Sequence, residues 1–269
     1  AMTESNHHDI PARPLGVAPP IQLQPEEPAV TAWQASPRTA FVDHLMARAE
    51  THAGRPAIIA IDGRSGSGKT TLTAALASVV PGAQVLHLDD LIWNEPLYQW
   101  DQQLVAALSE LHTTGALDLI PHPWREHGRE GPIRITAGAP LVIVEGTGAG
   151  LQAVRGLIDL HVWVQTGDDV AEHRGISRDI AEGTNGNAEE SVRFWHAWMA
   201  AERPFFAADR PWERADMIVS GQAQPGLCHN EIAWSEAAAC PVTPRVSPGQ
   251  TDPKADSPKR SANEWHLLA

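Results

Sequence analysis

Residues 57–80 read AIIAIDGRSGSGKTTLTAALASVV, an apolar run that breaks into a glycine-rich stretch and resumes rich in alanine and leucine. The first run, within RPAIIAID, suits a strand buried on both faces of a parallel sheet, and TTLTAALASVV suits the helix that follows. Between them Gly63 to Thr70, GRSGSGKT, fits the pattern G-x-x-x-x-G-K-[ST] at every fixed position. Glycines there let the backbone bend until successive N–H groups converge on phosphate oxygens, and the helix N-terminus adds a favourable dipole. Gly63, Ser65, Gly66, Ser67, Gly68, Lys69, Thr70 and Thr71 are the expected nucleotide contacts. Lys69 is placed to reach the β- and γ-phosphates, and Thr70 offers its hydroxyl to Mg²⁺. The loop is expected to hold a nucleoside triphosphate, ATP by preference. A tight strand-to-helix turn without a ligand is the plain alternative.

The use of lysine supports the first reading. Lysine occurs at Lys69, Lys254 and Lys259 alone, in a chain that otherwise takes its positive charge from arginine. A compact ammonium on a flexible stem does something in the loop that a planar guanidinium would not.

Composition bounds the rest. At 269 residues the chain is long enough for one large α/β domain. A net charge of −13 argues against a surface built for nucleic-acid phosphates. No apolar run reaches the roughly 18 residues of a membrane span, and the N-terminus has no signal-peptide core, so a cytoplasmic protein without a membrane partner is expected. Cys228 and Cys240 lack metal-ligand spacing and read as unpaired thiols. The thirteen histidines show no comparable metal spacing either. Oligomeric state is not legible.

Residues 1–35 are crowded with proline and lack periodicity, so a disordered tail is expected there, and a second over 241–269. The domain is expected over 36–240, beginning with a helix capped by Ser36, opened by Pro37 and stopped by Gly54. AQVLHLDD reads as a strand with acids at its C-terminal end, and YQWDQQLVAALSELHTTG as an amphipathic helix closed by Gly115. LVIVEG and LIDLHVWVQT are further strands, followed by helices over about 168–183 and 188–208 and a final strand ADMIVSG. Strands alternating with helices predict a doubly wound parallel sheet, α/β in class. Ligands in such sheets bind beyond the carboxyl ends of the strands, where the loop and the acids fall.

Phosphate binding does not by itself separate a kinase from a switch GTPase or a motor ATPase. The chain lacks an N-K-x-D tetrad and an LSGGQ-like signature, which favours a kinase. Asp89 and Asp90 follow Lys69 on the next strand, where a carboxylate faces the γ-phosphate across room for an acceptor hydroxyl. Asp89 is the favoured base, leaving Asp90 to orient a substrate or a metal-bound water. Glu145, closing LVIVEG, has the setting of a Walker-B-type carboxylate acting on Mg²⁺. A capping acid pair and an ordinary strand-end acid are the alternatives. Of the ten tryptophans, Trp195 and Trp198 read as a core-facing stripe with Phe194, Phe205 and Phe206. Trp93, Tyr98 and Trp100 are better placed to line an acceptor site.

IDGRSGSGKTTL, HLDD, VIVEG and RGISRD together resemble the uridine kinase-like branch of P-loop kinases, over roughly residues 56–220. The resemblance implies the P-loop NTPase fold, a base at the first aspartate of the pair, and a metal or substrate role for the glutamate. It also implies a lid, about 168–187, whose arginines close over the phosphates and match Arg174 and Arg178. Two guanidiniums a helical turn apart share a face, which suits charge stabilisation, although pairing with Asp179 or Glu182 is the alternative. Leu91 and Ile92 stand where uridine kinases usually carry an aromatic pair, so the nucleoside pocket is not carried over. IPHPWREHGREG offers an acceptor lobe, with His122, Trp124, Arg125 and His127 as candidate contacts, packing or loop structure being the equal alternative for each. The expectation is an ATP- and Mg²⁺-dependent phosphotransferase acting on a hydroxyl of a small polar metabolite, nucleoside-like by preference. An antibiotic or secondary-metabolite phosphotransferase and a non-catalytic nucleotide sensor are the rivals.

Overall fold

The computed structural model describes residues 11–49 and 52–237. Residues 1–10, Cys240 and the segment 241–269 lie outside them. In chain order, β1 (Arg13–Pro14) and β2 (Gln34–Pro37) lead into α1 (Arg38–Arg48), β3 (Ala57–Gly63) and α2 (Lys69–Ala77). Next come β4 (Gln84–His87), the single turn α3 (Leu88–Leu91), α4 (Asp101–Thr114), β5 (Leu117–Leu119) and α5 (His122–Glu126). β6 (Ile133–Ile135), β7 (Leu141–Glu145) and β8 (Leu160–Gln165) precede α6 (Asp168–Glu182) and α7 (Ala188–Asp209), and β9 (Met217–Ser220) and β10 (Glu231–Glu236) close the order.

One sheet runs β1-β2-β10-β9-β8-β3-β7-β4. From β9 to β4 every pairing is parallel. β3 lies inside this block and alternates its side chains between two cores. Ile58 and Ala60 join Val142 and Val144 against Leu104, Leu108 and Leu111 of α4. Ile59 and Ile61 join Val162 and Val164 against Phe41 and Leu45 of α1 and Leu72 and Leu76 of α2. All seven residues of β3 are buried, which is why the strand reads as an unbroken apolar run. Gly115 closes α4 as expected, in the left-handed conformation at φ 71°.

Several expectations need correction. Residues 11–35 are not a free tail: β1 and β2 extend the sheet through β10, antiparallel. Trp33 packs with Trp163 and Trp212, and Glu27 is buried. Ser36 sits in β2 and accepts a hydrogen bond from Trp234 Nε1 (2.9 Å), so Pro37 takes the cap position of α1 and no side chain caps that helix. ADMIVSG is followed by one more strand, β10. The acid pair lies in the single turn α3, which follows β4 directly, rather than on the strand.

Candidate active site

β3 delivers the glycine-rich loop to the carboxyl edge of the sheet, and α2 begins at Lys69. The first N–H groups of α2 have no intrahelical acceptor and open into the loop. Gly66 has φ +75°, and a Cβ there would lie 2.2 Å from the carbonyl oxygen of Ala171, so α6 packs directly on the loop backbone. Thr166 Oγ1 donates to Ser67 O (2.8 Å), and Ser67 N to Arg64 O (3.1 Å), fixing the turn. Lys69 is nearly enclosed, and its ammonium donates to Arg64 O (2.7 Å) and Thr147 Oγ1 (3.3 Å).

Three buried carboxylates hold this loop, and sequence reasoning missed all three. Asp62 accepts from the N–H groups of Gly63 (2.7 Å), Gly148 (2.8 Å) and Gly150 (3.0 Å), which ties the loop to the turn after β7. Glu202 of α7 accepts from Ser65 Oγ (2.6 Å), Trp198 Nε1 (3.1 Å) and Tyr98 Oη (3.1 Å), with Ser65 N at 3.3 Å. Glu27 accepts from Arg64 Nη2 (3.1 Å), Trp163 Nε1 (2.8 Å) and Gln165 Nε2 (3.1 Å). Asp168 is the second partner of Arg64. Loss of solvation pushes Glu27 up and Arg64 down, and their mutual attraction only partly opposes it.

The hard-oxygen donors sit together at the mouth of the loop. Thr70 Oγ1 donates to Glu145 Oε1 at 3.1 Å, and His87 Nδ1 lies 2.9 Å from Glu145 Oε2. Burial alone would raise Glu145, but the His87 hydrogen bond, the Lys69 ammonium and the Thr70 hydroxyl outweigh it and hold the carboxyl below its ordinary range. The bond to Glu145 raises His87 in turn. One hydroxyl beside one ionised carboxylate is the donor set Mg²⁺ takes when substrate phosphates and water supply the remaining ligands. Among the described residues no group of three or more His, Cys, Asp or Glu could hold a metal. Asp89 is exposed to solvent in α3. Lost solvation raises its carboxyl, Lys69 opposes this, and the Glu145 charge adds to it.

Asp90 is engaged elsewhere: its carboxylate meets Arg129 Nη2 at 2.5 Å, and its carbonyl accepts from Trp124 Nε1 (2.9 Å). The Arg129 guanidinium lies 3.8 Å from the Trp124 ring centroid and 5.3 Å from that of Trp93. Trp93 in turn meets His127 edge-on at 5.7 Å. Asp90 thereby ties α3 to the lobe built on α5 through a half-exposed pair with Arg129. Arg129 was the missed residue, and RE twice in PWREHGRE was its faint signal. Trp124 is buried, whereas Arg125, His127 and His122 are exposed. Trp100 is core, 1% exposed, and packs against Tyr98 at 4.8 Å between ring centroids. Tyr98 stacks on Phe205 at 4.5 Å; burial, reinforced by Glu202, pushes its hydroxyl pKa up. Trp195 and Phe206 are buried as expected, but Trp198 turns its indole to Ser65 Oγ (2.9 Å) and so belongs to the loop.

The two arginines of α6 point to different partners. Arg174 Nη1 donates to Gly221 O (2.7 Å), beside Gly68, and Arg178 pairs with Asp179 (3.1 Å), the alternative weighed from sequence. Arg178 still acts electrostatically on Asp89. Leu91 and Ile92 are buried in the core and present no aromatic face.

No family model matches the sequence. The chain is 27% identical over 150 residues to a uridine kinase of Borrelia garinii subsp. bavariensis, covering 50% of this chain and 72% of that protein. It is 29% identical over 156 residues to a uridine kinase of Ligilactobacillus salivarius, covering 51% and 72%. A uridine kinase of Lactiplantibacillus plantarum is 28% identical over 199 residues, covering 66% and 91%. Among the described residues no helix is long and apolar enough to cross a membrane.

Proposed function

We propose, from the premise that this chain is a small-molecule kinase of the uridine kinase-like P-loop group, that it moves the γ-phosphoryl group of ATP to a hydroxyl of a nucleoside-like acceptor. The observation that carries this reading is the Thr70–Glu145 pair, 3.1 Å apart beside Lys69, with Asp89 close enough to feel both charges. Lys69 and the amides of the loop hold the phosphates. Thr70 and Glu145 would hold Mg²⁺, which would supply charge neutralisation on the transferring group. Asp89 accepts the proton of the acceptor hydroxyl as its oxygen bonds to phosphorus and ADP leaves. Its raised pKa suits a base that must give the proton back. The segment 168–187 serves as lid, with Arg174 exchanging Gly221 O, and Arg178 exchanging Asp179, for phosphate oxygens on closure. A soluble cytoplasmic setting accords with this chemistry.

One observation favours a different acceptor of the same reaction. Leu91 and Ile92 are packed inward where uridine kinases usually carry aromatic residues, which favours a hydroxylated metabolite other than uridine, an antibiotic or secondary metabolite included. ADP release over a panel of nucleosides, sugars, vitamins and antibiotics separates the readings. Acceptor-dependent release is expected with at least one member. Nucleotide binding without release for any of them would leave the sensor reading in place of the kinase.

A further inference from the structure

Glu202 is 1% exposed, carries a formal charge, and lies against a loop whose purpose is to attract anions. A buried carboxylate in that place works against a triphosphate by Coulomb repulsion, so its presence calls for a compensating task. Its contacts define one. A carboxylate only accepts, and four donors from three separate elements converge on this one: Ser65 N and Oγ from the phosphate loop, Tyr98 Oη from the segment after the acid pair, and Trp198 Nε1 from α7. Trp198 Nε1 also donates to Ser65 Oγ, which closes the network. Ser65 N–H is thereby turned to Glu202, and Ser67 N–H to Arg64 O, so the amides of Gly66, Gly68 and Lys69 are the ones left for phosphate. Arg64, next in the chain, adds an attractive charge.

We infer that Glu202 is a positioning residue that sets which amides of the glycine loop face the nucleotide, and that it locks the loop to the acceptor-side aromatic segment through Tyr98. This rests on the reading of the loop as a nucleotide site. Tyr98 has φ +56°, an uncommon conformation for a bulky residue, and the hydroxyl bond to Glu202 together with the Phe205 stack holds it there. A single carboxylate thus couples phosphate-loop shape to the wall of the acceptor side.

The test exploits opposite signs. Calorimetric titration with MgADP is run on the full chain, on Glu202→Gln, on Ser65→Ala and on the double variant, each well below its thermal midpoint. Glutamine removes the repulsion but presents N–H to Ser65 N–H or to the other donors, so a positioning role predicts weaker binding, by about tenfold. Ser65→Ala should weaken binding comparably, and the double variant no more than the worse single one. Equal or tighter binding by Glu202→Gln would show the residue to be a bystander charge and overturn the inference, as would additive losses in the double variant. Wild-type chain that takes up no MgADP would instead overturn the nucleotide-site reading and this inference with it.

Discussion

Replacing Glu27 by alanine tests whether the N-terminal segment is part of the working domain. The side chain is 1% exposed and the Arg64 side chain 4%. Alanine strips Trp163 Nε1, Gln165 Nε2 and one side of Arg64 of their acceptor. Breaking a buried pair by removing one partner costs about 3–5 kcal/mol. The lower end, about 3 kcal/mol, applies because Asp168 still pairs with Arg64. At about 2–4 °C per kcal/mol for a chain of this size, the thermal midpoint followed by circular dichroism at neutral pH should fall by roughly 6–12 °C. A buried ion pair is often no net gain over apolar residues of similar volume. Glu27→Leu with Arg64→Met should therefore recover most of the loss. The pH dependence has a definite sign. A carboxyl raised in the folded chain contributes stability that is complete below its ordinary value of 4.5 and is lost as pH climbs through the folded value. Glu27→Gln should flatten that decline. A midpoint change under about 2 °C for Glu27→Ala, or a double variant no better than the single, would refute the reasoning.

Asp89→Asn should lower kcat by about 10²–10⁴-fold while MgATP affinity, read by calorimetry, stays within about twofold; near-normal turnover would remove the base. Gly66→Ala should abolish nucleotide binding, because the methyl group meets the Ala171 carbonyl and the backbone resists φ +75°; binding measured as unchanged would mean that α6 yields. Glu145→Gln should raise the Mg²⁺ concentration needed for half-maximal rate by about tenfold or more, with nucleotide affinity in the absence of metal much less affected. Arg129→Ala should expose Trp93 and Trp124 to solvent, seen as a red shift in emission, while MgADP affinity holds.

The sequence declared those parts of the molecule whose physics is local. Gly63 to Thr70 is legible because bending, amide convergence and helix start are all properties of eight consecutive residues. The start of α7 is set by the reciprocal cap between Asn187 and Glu190, and the end of α4 by Gly115, both again within a few residues. The N-terminal segment was misread for the complementary reason. Its prolines and polar residues build no periodic face, and what holds it, Glu27 on Arg64 and Trp33 among Trp163 and Trp212, joins positions far apart in the chain. Asp90 and Asp89 look alike in sequence, and it is the approach of Arg129 from the α5 lobe to Asp90 that separates their surroundings. Glu202 follows Trp195 and Trp198 on the same face of α7, so its spacing sets a charge within the apolar stripe, but only the folded chain shows Ser65 and Tyr98 meeting it there. Trp198, one turn before it, reads as core from that stripe, and its bond to Ser65 Oγ joins positions far apart in the chain.

The indole of Trp198 gives the loop an optical voice. Its N–H bonds at once to Ser65 Oγ and to the Glu202 carboxylate, so its excited-state dipole feels the field of the loop directly. Trp100 and Trp163, sealed in the interior, supply a constant background against which that signal stands out. Filling or emptying the loop should therefore change intrinsic fluorescence, which would let occupancy be timed in a stopped-flow mixer without attaching any dye.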